Sequence, residues 1–426
     1  MIAYAIPPGV SASTQFRVRL DGVPVDVAST GKADFVTLAT AGGVRVEVTV
    51  PDAVRKVDVR PHSKGVLPVV DGHTVSFTLT RPMHVCVEIT GLPPLFVFAN
   101  PLPADRPDPR DPAVHYFAAG AVHDVGTLRL KSGETLYIEG GAVVRGAVHA
   151  VDAENIRIGG QGIMDGSAFA ARVVTLEHCR NVIIEDLVLI RPSTWMIVLG
   201  ACDQVVVRNI KEIGEVVCSD GVDVVGCRDV LIEDCFLANN DDCVVIKAKE
   251  AQGAQARGER DWRQNVARVR TRRCTLLNWG AGNIMEIGFE LQADVVEDIV
   301  FEDIDVIGAH VYAAVFSIHN GDRATVRNVR YENIRVEHYW NKLVDFRILN
   351  SRYSRDAERG QIRDVLLKNI RCVPNTHNTP SLIGGFDATH TVENVVFQDV
   401  FFGERQAVDG DDLHLFVKQA KGIVFQ

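Results

Sequence analysis

Nine times along this chain the same short pattern returns. NIRIGG begins at Asn155, NVIIEDLVLI at Asn181, QVVVRNIKEI at Gln204 and DVLIEDCFLA at Asp229. ARVRTRRCTLL (from Ala267), EDIVFEDIDVI (Glu297), RNVRYENIRV (Arg327), RDVLLKNIRC (Arg363) and ENVVFQDVFF (Glu393) follow. Each unit reads N/D-V-x-I/F-x-N/D-h, with h apolar, at intervals of about 23 to 26 residues and later about 30 to 39, where loops are inserted. Periods of this size signal a solenoid, and alternating strands with polar turns make it a β-solenoid. The L-x-x-L-x-L consensus of leucine-rich repeats is absent, and no segment sustains helical periodicity. The expected fold is a parallel β-helix, in which residues one repeat apart sit on adjacent rungs about 4.8 Å apart.

Residues 1–100 have a different texture. FRVRL, FVTLAT, VRVEVTV, TVSFTL, HVCVEI and LFVFA alternate or are β-branched, with Gly, Pro or Asp between them, which predicts a small antiparallel β-sandwich. PLPADRPDPRDPAV (101–114) then places five prolines in fourteen residues, a stiff linker that neither a helix nor a central strand accepts. The expected division is a sandwich over 1–100, a linker over 101–114 and a β-helix over 115–426. A formal charge of −10 argues against nucleic-acid and anionic-membrane partners, and no apolar run reaches the ~18 residues of a span. MIAYAIPPGVSAS lacks the basic start of a secretory signal, so a cytoplasmic location is expected, or a secreted one if a leader has been removed. Nine cysteines are an odd number, and Cys227, Cys235 and Cys243 recur every eight residues in apolar stretches. They are expected as small buried hydrophobes rather than disulfides.

The richest stretch is Cys218-Ser-Asp-Gly-Val-Asp-Val, followed by Asn239-Asn-Asp-Asp-Cys-Val-Val-Ile-Lys. Asp220 lies 21 residues before Asp241 and 22 before Asp242, about one rung, so three carboxylates are expected at one azimuth. Asp241 and Asp242 would face opposite sides of a strand. Both reach one cleft only from a turn, and Asn239-Asn240 is turn chemistry. Crowded carboxylates raise at least one pKa, and a protonated acid beside ionised bases is what glycosidic cleavage requires. Turn capping or a structural calcium site would use the same residues.

Residues 191–248 resemble the core of the polygalacturonase-type glycoside hydrolases (family 28). The likeness rests on the S-x-W entry at Ser193–Trp195, on an N-T-D-G-x-D motif in which Cys218 and Ser219 replace Asn and Thr, and on a G-D-D-C motif in which Asn240 replaces Gly. The dextranase-like family 49 enzymes, which pair a β-sandwich with a similar helix and Asp trio, are similar too. The resemblance implies a right-handed helix and an inverting, single-displacement hydrolase without a cofactor or metal. It places Asp241 as general acid, with Asp220 and Asp242 holding and deprotonating the attacking water.

The pattern then departs. Where the family has G-H-G, this chain has Gly282-Asn283, and where it has R-I-K, this chain has Ser317-Ile-His319. The family's Arg and Lys bind the substrate carboxylate, so galacturonate is in doubt. Replacement groups are Glu286, Glu290, His319, Asp322, Arg323, Asp345, Arg347, Arg352 and Tyr353, with turn packing or rim salt bridges the weightier reading for Asp322 and Asp345. Substrate contacts are expected from Trp195, Lys247, Asn283, Glu286, His319, Arg323 and Arg347. Trp195 suits a sugar platform or the core equally, and Lys247 reads more readily as a snorkelling surface lysine. GERDWRQN (258–265) suits a loop over the groove or a charged turn. No metal-ligand or phosphate-loop spacing occurs.

The sequence therefore predicts hydrolysis of an α-linked oligo- or polysaccharide, pectic or neutral, acting on imported oligomers from a chain end. The competing classes are a non-catalytic carbohydrate-binding β-helix and a β-helix lyase or epimerase, which would want an Arg or Lys base.

Overall fold

The computed structural model describes residues 1–168, 171–250, 261–374 and 379–426. Thirty strands, from Val114–Phe117 to Ala420–Phe425, join in one continuous sheet that coils as a right-handed parallel β-helix. Neighbouring rungs pair in parallel, and one inward column runs Ile184, Val207, Ile232, Thr271, Phe301, Tyr331, Leu367, Phe397. Every member is buried. This column is the I/F position of the repeat, so the sequence period and the rung are the same unit.

The polar positions of the repeat have a backbone cause. Both N/D sites of each unit adopt positive φ: Asn181 and Asp186, Asp229 and Asp234, Asp298 and Asp303, Asn328 and Asn333, Asp364 and Asn369, Asn394 and Asp399. Left-handed backbone costs an L-residue roughly 1–2 kcal/mol, and Asn and Asp tolerate it best because their short side chains bond locally. Here they also bond between rungs, as Asn181 Nδ2 to Asn155 Oδ1 (2.6 Å) and Asn209 Nδ2 to Asp186 Oδ1 (2.7 Å) show. Arg268 and Arg273 take the same positive φ on the rung that breaks the pattern. Each answers the aspartate beneath it, Asp229 at 2.6 Å and Asp234 at 2.8 Å.

Residues 2–100 form two sheets. The sheets are antiparallel as expected, with one parallel pair between Asp34–Ala39 and Leu95–Asn100. Leu95–Asn100 is buried on both faces. Leu95, Val97 and Ala99 join the core between the sheets, while Phe96 and Phe98 pack on Ile163, Val188, Ile190, Ile213 and Phe236 of the helix. Polar bonds cross the same junction: Arg60 Nη1 donates to Ile307 O at 2.7 Å and Ser63 Oγ to Asp305 at 2.8 Å. The helical sheet beneath the sandwich ends, rung after rung, in one column of turns, which carries the site described next. No described helix is long and apolar enough to cross a membrane.

If the polar positions act through their backbone, Asn181→Leu lowers stability by about 1–2 kcal/mol, whereas Asn181→Gly costs less because glycine enters this region freely. Urea unfolding midpoints of the two variants check the order.

Candidate active site

Asp220 lies in the turn between strands Lys211–Ile213 and Val222–Val225, and Asp241 and Asp242 lie in the turn between Phe236–Asn239 and Val244–Ala248. Pairing of Val222 with Val244 sets Asp220 and Asp242 on adjacent rungs, and Gly221 N–H donates to Asp242 O at 2.8 Å. One carboxylate oxygen from each of the three residues lies within 4.8 Å of the others. The turn lets two consecutive aspartates point into one cleft. Asn278 secures it from the next rung, donating Nδ2 to Asp241 O at 2.8 Å. Gly282, at φ +63°, passes so close that a Cβ there would stand 2.3 Å from Asp241 Oδ1.

Burial and its carboxylate neighbours make this a proton-holding cluster. Burial, then the charge of Asp220, pushes Asp241 up to about 6. Burial and the charges of Asp220, Asp241 and Glu286 hold Asp242 well above the usual carboxylate range. Asp241 accepts from Cys218 N–H (3.1 Å) and Asp242 N–H (3.0 Å), and Asp242 accepts from Asn283 N–H (2.6 Å). Of the three, only Asp241 is partly open to solvent; Asp220 and Asp242 are buried. Three such oxygens are also close enough to grip a divalent cation.

Lys247 is not the surface lysine that its position suggests. It is 5% exposed and bridges Asp220 Oδ2 (2.9 Å) and Asp223 Oδ1 (2.8 Å). Burial alone would discharge it, but Asp220 and Asp223 outweigh that and hold the ammonium charged. Asp223 is the residue that sequence reasoning missed. Asp223 pairs with Val245 across the rung, so Lys247 two residues on shares its face, and that cross-rung register is what spacing alone did not reveal. Trp195, half-buried, carries Lys247 Nζ 4.0 Å and Arg172 Cζ 4.9 Å from its ring centroid, so it braces cations behind the trio.

Glu286, His319 and Arg347 meet in a chain of charges. His319 Nδ1 lies 3.0 Å from both Glu286 oxygens, and its Nε2 lies 3.3 Å from Asp345 Oδ2. Arg347 Nη2 reaches Asp345 Oδ2 at 2.9 Å and sits 3.2 Å from His319 Nε2. Asn283 ties this chain to the trio, giving its amide to Asp242 and its Nδ2 to Glu286 at 2.8 Å. Asn283, Glu286 and His319 are buried, and Phe289 stacks on the imidazole at 4.4 Å. Buried and bonded to one another, these three are shut away from solvent. Burial would lower His319, but Glu286 and Asp345 raise it to about 9.

Other candidates fall elsewhere. Arg323 turns toward Asp356 (2.9 Å) and Asp294 (3.5 Å), away from the trio. Asp322 caps a turn, accepting from Leu291, Arg355 and Asp356 N–H, and Glu290 pairs with buried Lys249 at 2.8 Å. Arg352 is exposed, with its guanidinium 4.7 Å from the Tyr353 ring centroid. Residues 258–260 of GERDWRQN lie outside the described residues. Trp262 is fully buried and bonds Glu177 at 3.2 Å, whereas Asp261, Arg263 and Gln264 beside it are exposed, with Arg263 paired to Asp261 at 2.9 Å, so the described part is a charged, solvated turn pinned by one buried ring. All nine cysteines are free, and only Cys218 is exposed.

Two measurements check this arrangement. Lys247→Met strands two buried carboxylates and lowers stability by about 3–5 kcal/mol, read by urea unfolding. The raised His319 contributes stability that is fully present below its ordinary value of 6.5 and lost as pH rises through about 9. The thermal midpoint therefore falls over that window in the native chain, and His319→Gln flattens the fall.

Structural likeness extends to Dex49A from Penicillium minioluteum (TM-score 0.68, 12% identity, 100% of this chain and 96% of that one). It extends also to a hyperthermoactive exopolygalacturonase from Thermotoga maritima (0.53, 17%, 74% and 84%) and to the polygalacturonase from Erwinia carotovora ssp. carotovora (0.52, 15%, 74% and 89%). At these identities they speak for the fold. No curated protein matches the sequence. The model of glycosyl hydrolases family 28 matches residues 134–404, well over half of the chain, and the protein belongs to that family.

Proposed function

We propose that this glycoside hydrolase cleaves α-linked glycosidic bonds with inversion, using Asp241 as the general acid and Asp220 with Asp242 to position and deprotonate water. The observation that carries the reading is the trio itself, three carboxylate oxygens within 4.8 Å of one another. Asp241 is the member open to a leaving oxygen and is held protonated up to about pH 6. Lys247 sets a positive charge 2.9 Å from Asp220, which makes Asp220 the member that takes the water's proton, while Asp242, held above the usual carboxylate range, positions the water. A carboxyl separation of about 5 Å is the usual mark of retaining enzymes. Two carboxylates that share one water offer single displacement instead, which makes the product anomer the sharpest test.

A neutral sugar fits the groove better than a uronate. Ser317 and His319 stand where the family's carboxylate-binding Arg and Lys would be. Ser317 Oγ donates to Met285 O at 3.0 Å, and His319 is committed to Glu286 and Asp345. Lys247, Lys249 and Arg347 are likewise bonded to carboxylates of this chain. Arg352, at the rim, is the cation that would favour a uronate.

Proton NMR of products from α-linked neutral and uronic oligosaccharides should show inversion on a neutral substrate. Asp241→Asn should reduce kcat by at least ~100-fold, and kcat should fall as pH rises through about 6, because the acid must hold its proton. Chelators should leave turnover unchanged. Retention of configuration, chelator sensitivity or an ultraviolet-absorbing unsaturated product would overturn the mechanism. Galacturonide cleavage that is lost in Arg352→Ala would overturn the neutral substrate alone.

A further inference from the structure

The turns that carry the trio continue for three more rungs, and their outward side chains change character. Asn239 O accepts from Trp279 N–H at 2.9 Å, and Ala309 O accepts from Trp340 N–H at 2.8 Å. Since Asn278 pairs with Ala309, and Ala309 bridges to Tyr339, the residues that follow, Trp279, His310 and Trp340, stand one above another. Tyr312 juts from the middle turn. It is 74% exposed and Trp340 is 50% exposed, although both lie on rungs whose other residues are largely buried. Val311 beside Tyr312 takes φ +56°, an uncommon conformation for a β-branched residue, and the turn holds the phenol outward.

From this we infer that the face built by Tyr312 and Trp340, with Trp279 at its trio end, binds the sugar chain of the substrate beyond the cleaved bond. The inference rests on the hydrolase reading above but adds a second site to it. At one rung per about 4.8 Å, Tyr312 and Trp340 lie about 10 and 14 Å from the rung of Asp242, roughly two and three pyranose lengths. Single aromatic rings spaced along an axis, with polar His310, His338 and Asn341 between them, suit the alternating C–H faces and hydroxyl edges of a saccharide. They do not form the broad contiguous apolar patch of a protein interface. Trp279 is the anchor of the face: half-buried, it stacks with Phe96 of the sandwich (centroids 6.3 Å apart, planes 7°), and Lys32 Nζ sits 5.3 Å from its ring centroid. An open hollow of about 560 Å³, lined by Lys32, Pro93, Pro94, Trp279 and His310, borders the face on the sandwich side. The N-terminal sheets would thus form one bank of the binding surface.

The test uses the full chain with Tyr312→Ala, Trp340→Ala and the double variant, whose exposed sites leave folding intact. Isomalto-oligosaccharides and oligogalacturonides of two to eight units serve as substrates. For the series that is cleaved, the double variant should lose about tenfold in kcat/KM on the longest member, mainly through KM, and nothing on the shortest. Losses equal at every length, or none at any length, overturn the inference. Affinity electrophoresis in gels containing dextran or polygalacturonate reads binding without turnover. Asp241→Asn should be retarded in one of them, and its triple variant with Tyr312→Ala and Trp340→Ala should not. Equal migration of the two overturns the second site. Persisting turnover in Asp241→Asn instead overturns the catalytic assignment and leaves the binding result standing.

Discussion

Everything in this protein depends on parallel register. A rung shifted by one residue would turn its whole inward column outward, so each coil must begin and end at a defined place. The paired left-handed positions at Asn181 and Asp186, and their counterparts on later rungs, do this by fixing where each strand bends. Side-chain bonds between stacked Asn and Asp then align one coil with the next. Loops can lengthen between strands without disturbing the ladder, which is why the repeat interval grows while the pairing stays in step.

That regularity is what brings acidic residues together against their repulsion. Asp220, Asp241 and Asp242 are held at one azimuth by backbone pairing, and their own interaction is unfavourable. The surrounding charges offset it: Lys247 is locked between Asp220 and Asp223, and His319 is clamped by Glu286 and Asp345. A single buried cation placed behind a carboxylate cluster both lowers the cost of assembling it and decides which oxygen carries the charge. The charge of His319 is likewise carried inside the protein, between Glu286 and Asp345, rather than at the surface.

The sandwich has a place in this design beyond its own core. Phe96 and Phe98 turn away from the inter-sheet interior and pack on Phe236 of the helix, and Phe96 also backs Trp279 in the turn column. The same strand therefore builds one core, docks to a second and supports a side chain beside the groove.

The solenoid, the sandwich and the aspartate trio were legible in the sequence because each is written as a local pattern: a repeat, an alternation, and a spacing equal to one rung. Even the shared turn of Asp241 and Asp242 followed from the side-chain alternation of strands. The environment of Lys247 was not legible, nor was the divergence of Arg323 toward Asp356. Whether a long side chain meets solvent or a carboxylate depends on which residues adjacent coils place opposite it, and inserted loops make that uncountable from spacing alone. Burial of Trp262 and exposure of Tyr312 and Trp340 were decided the same way. The sequence by itself determined the coil and the residues that share an azimuth; only the packed coils decided which charges pair and which rings face water, because pairing and burial are properties of neighbours distant along the chain.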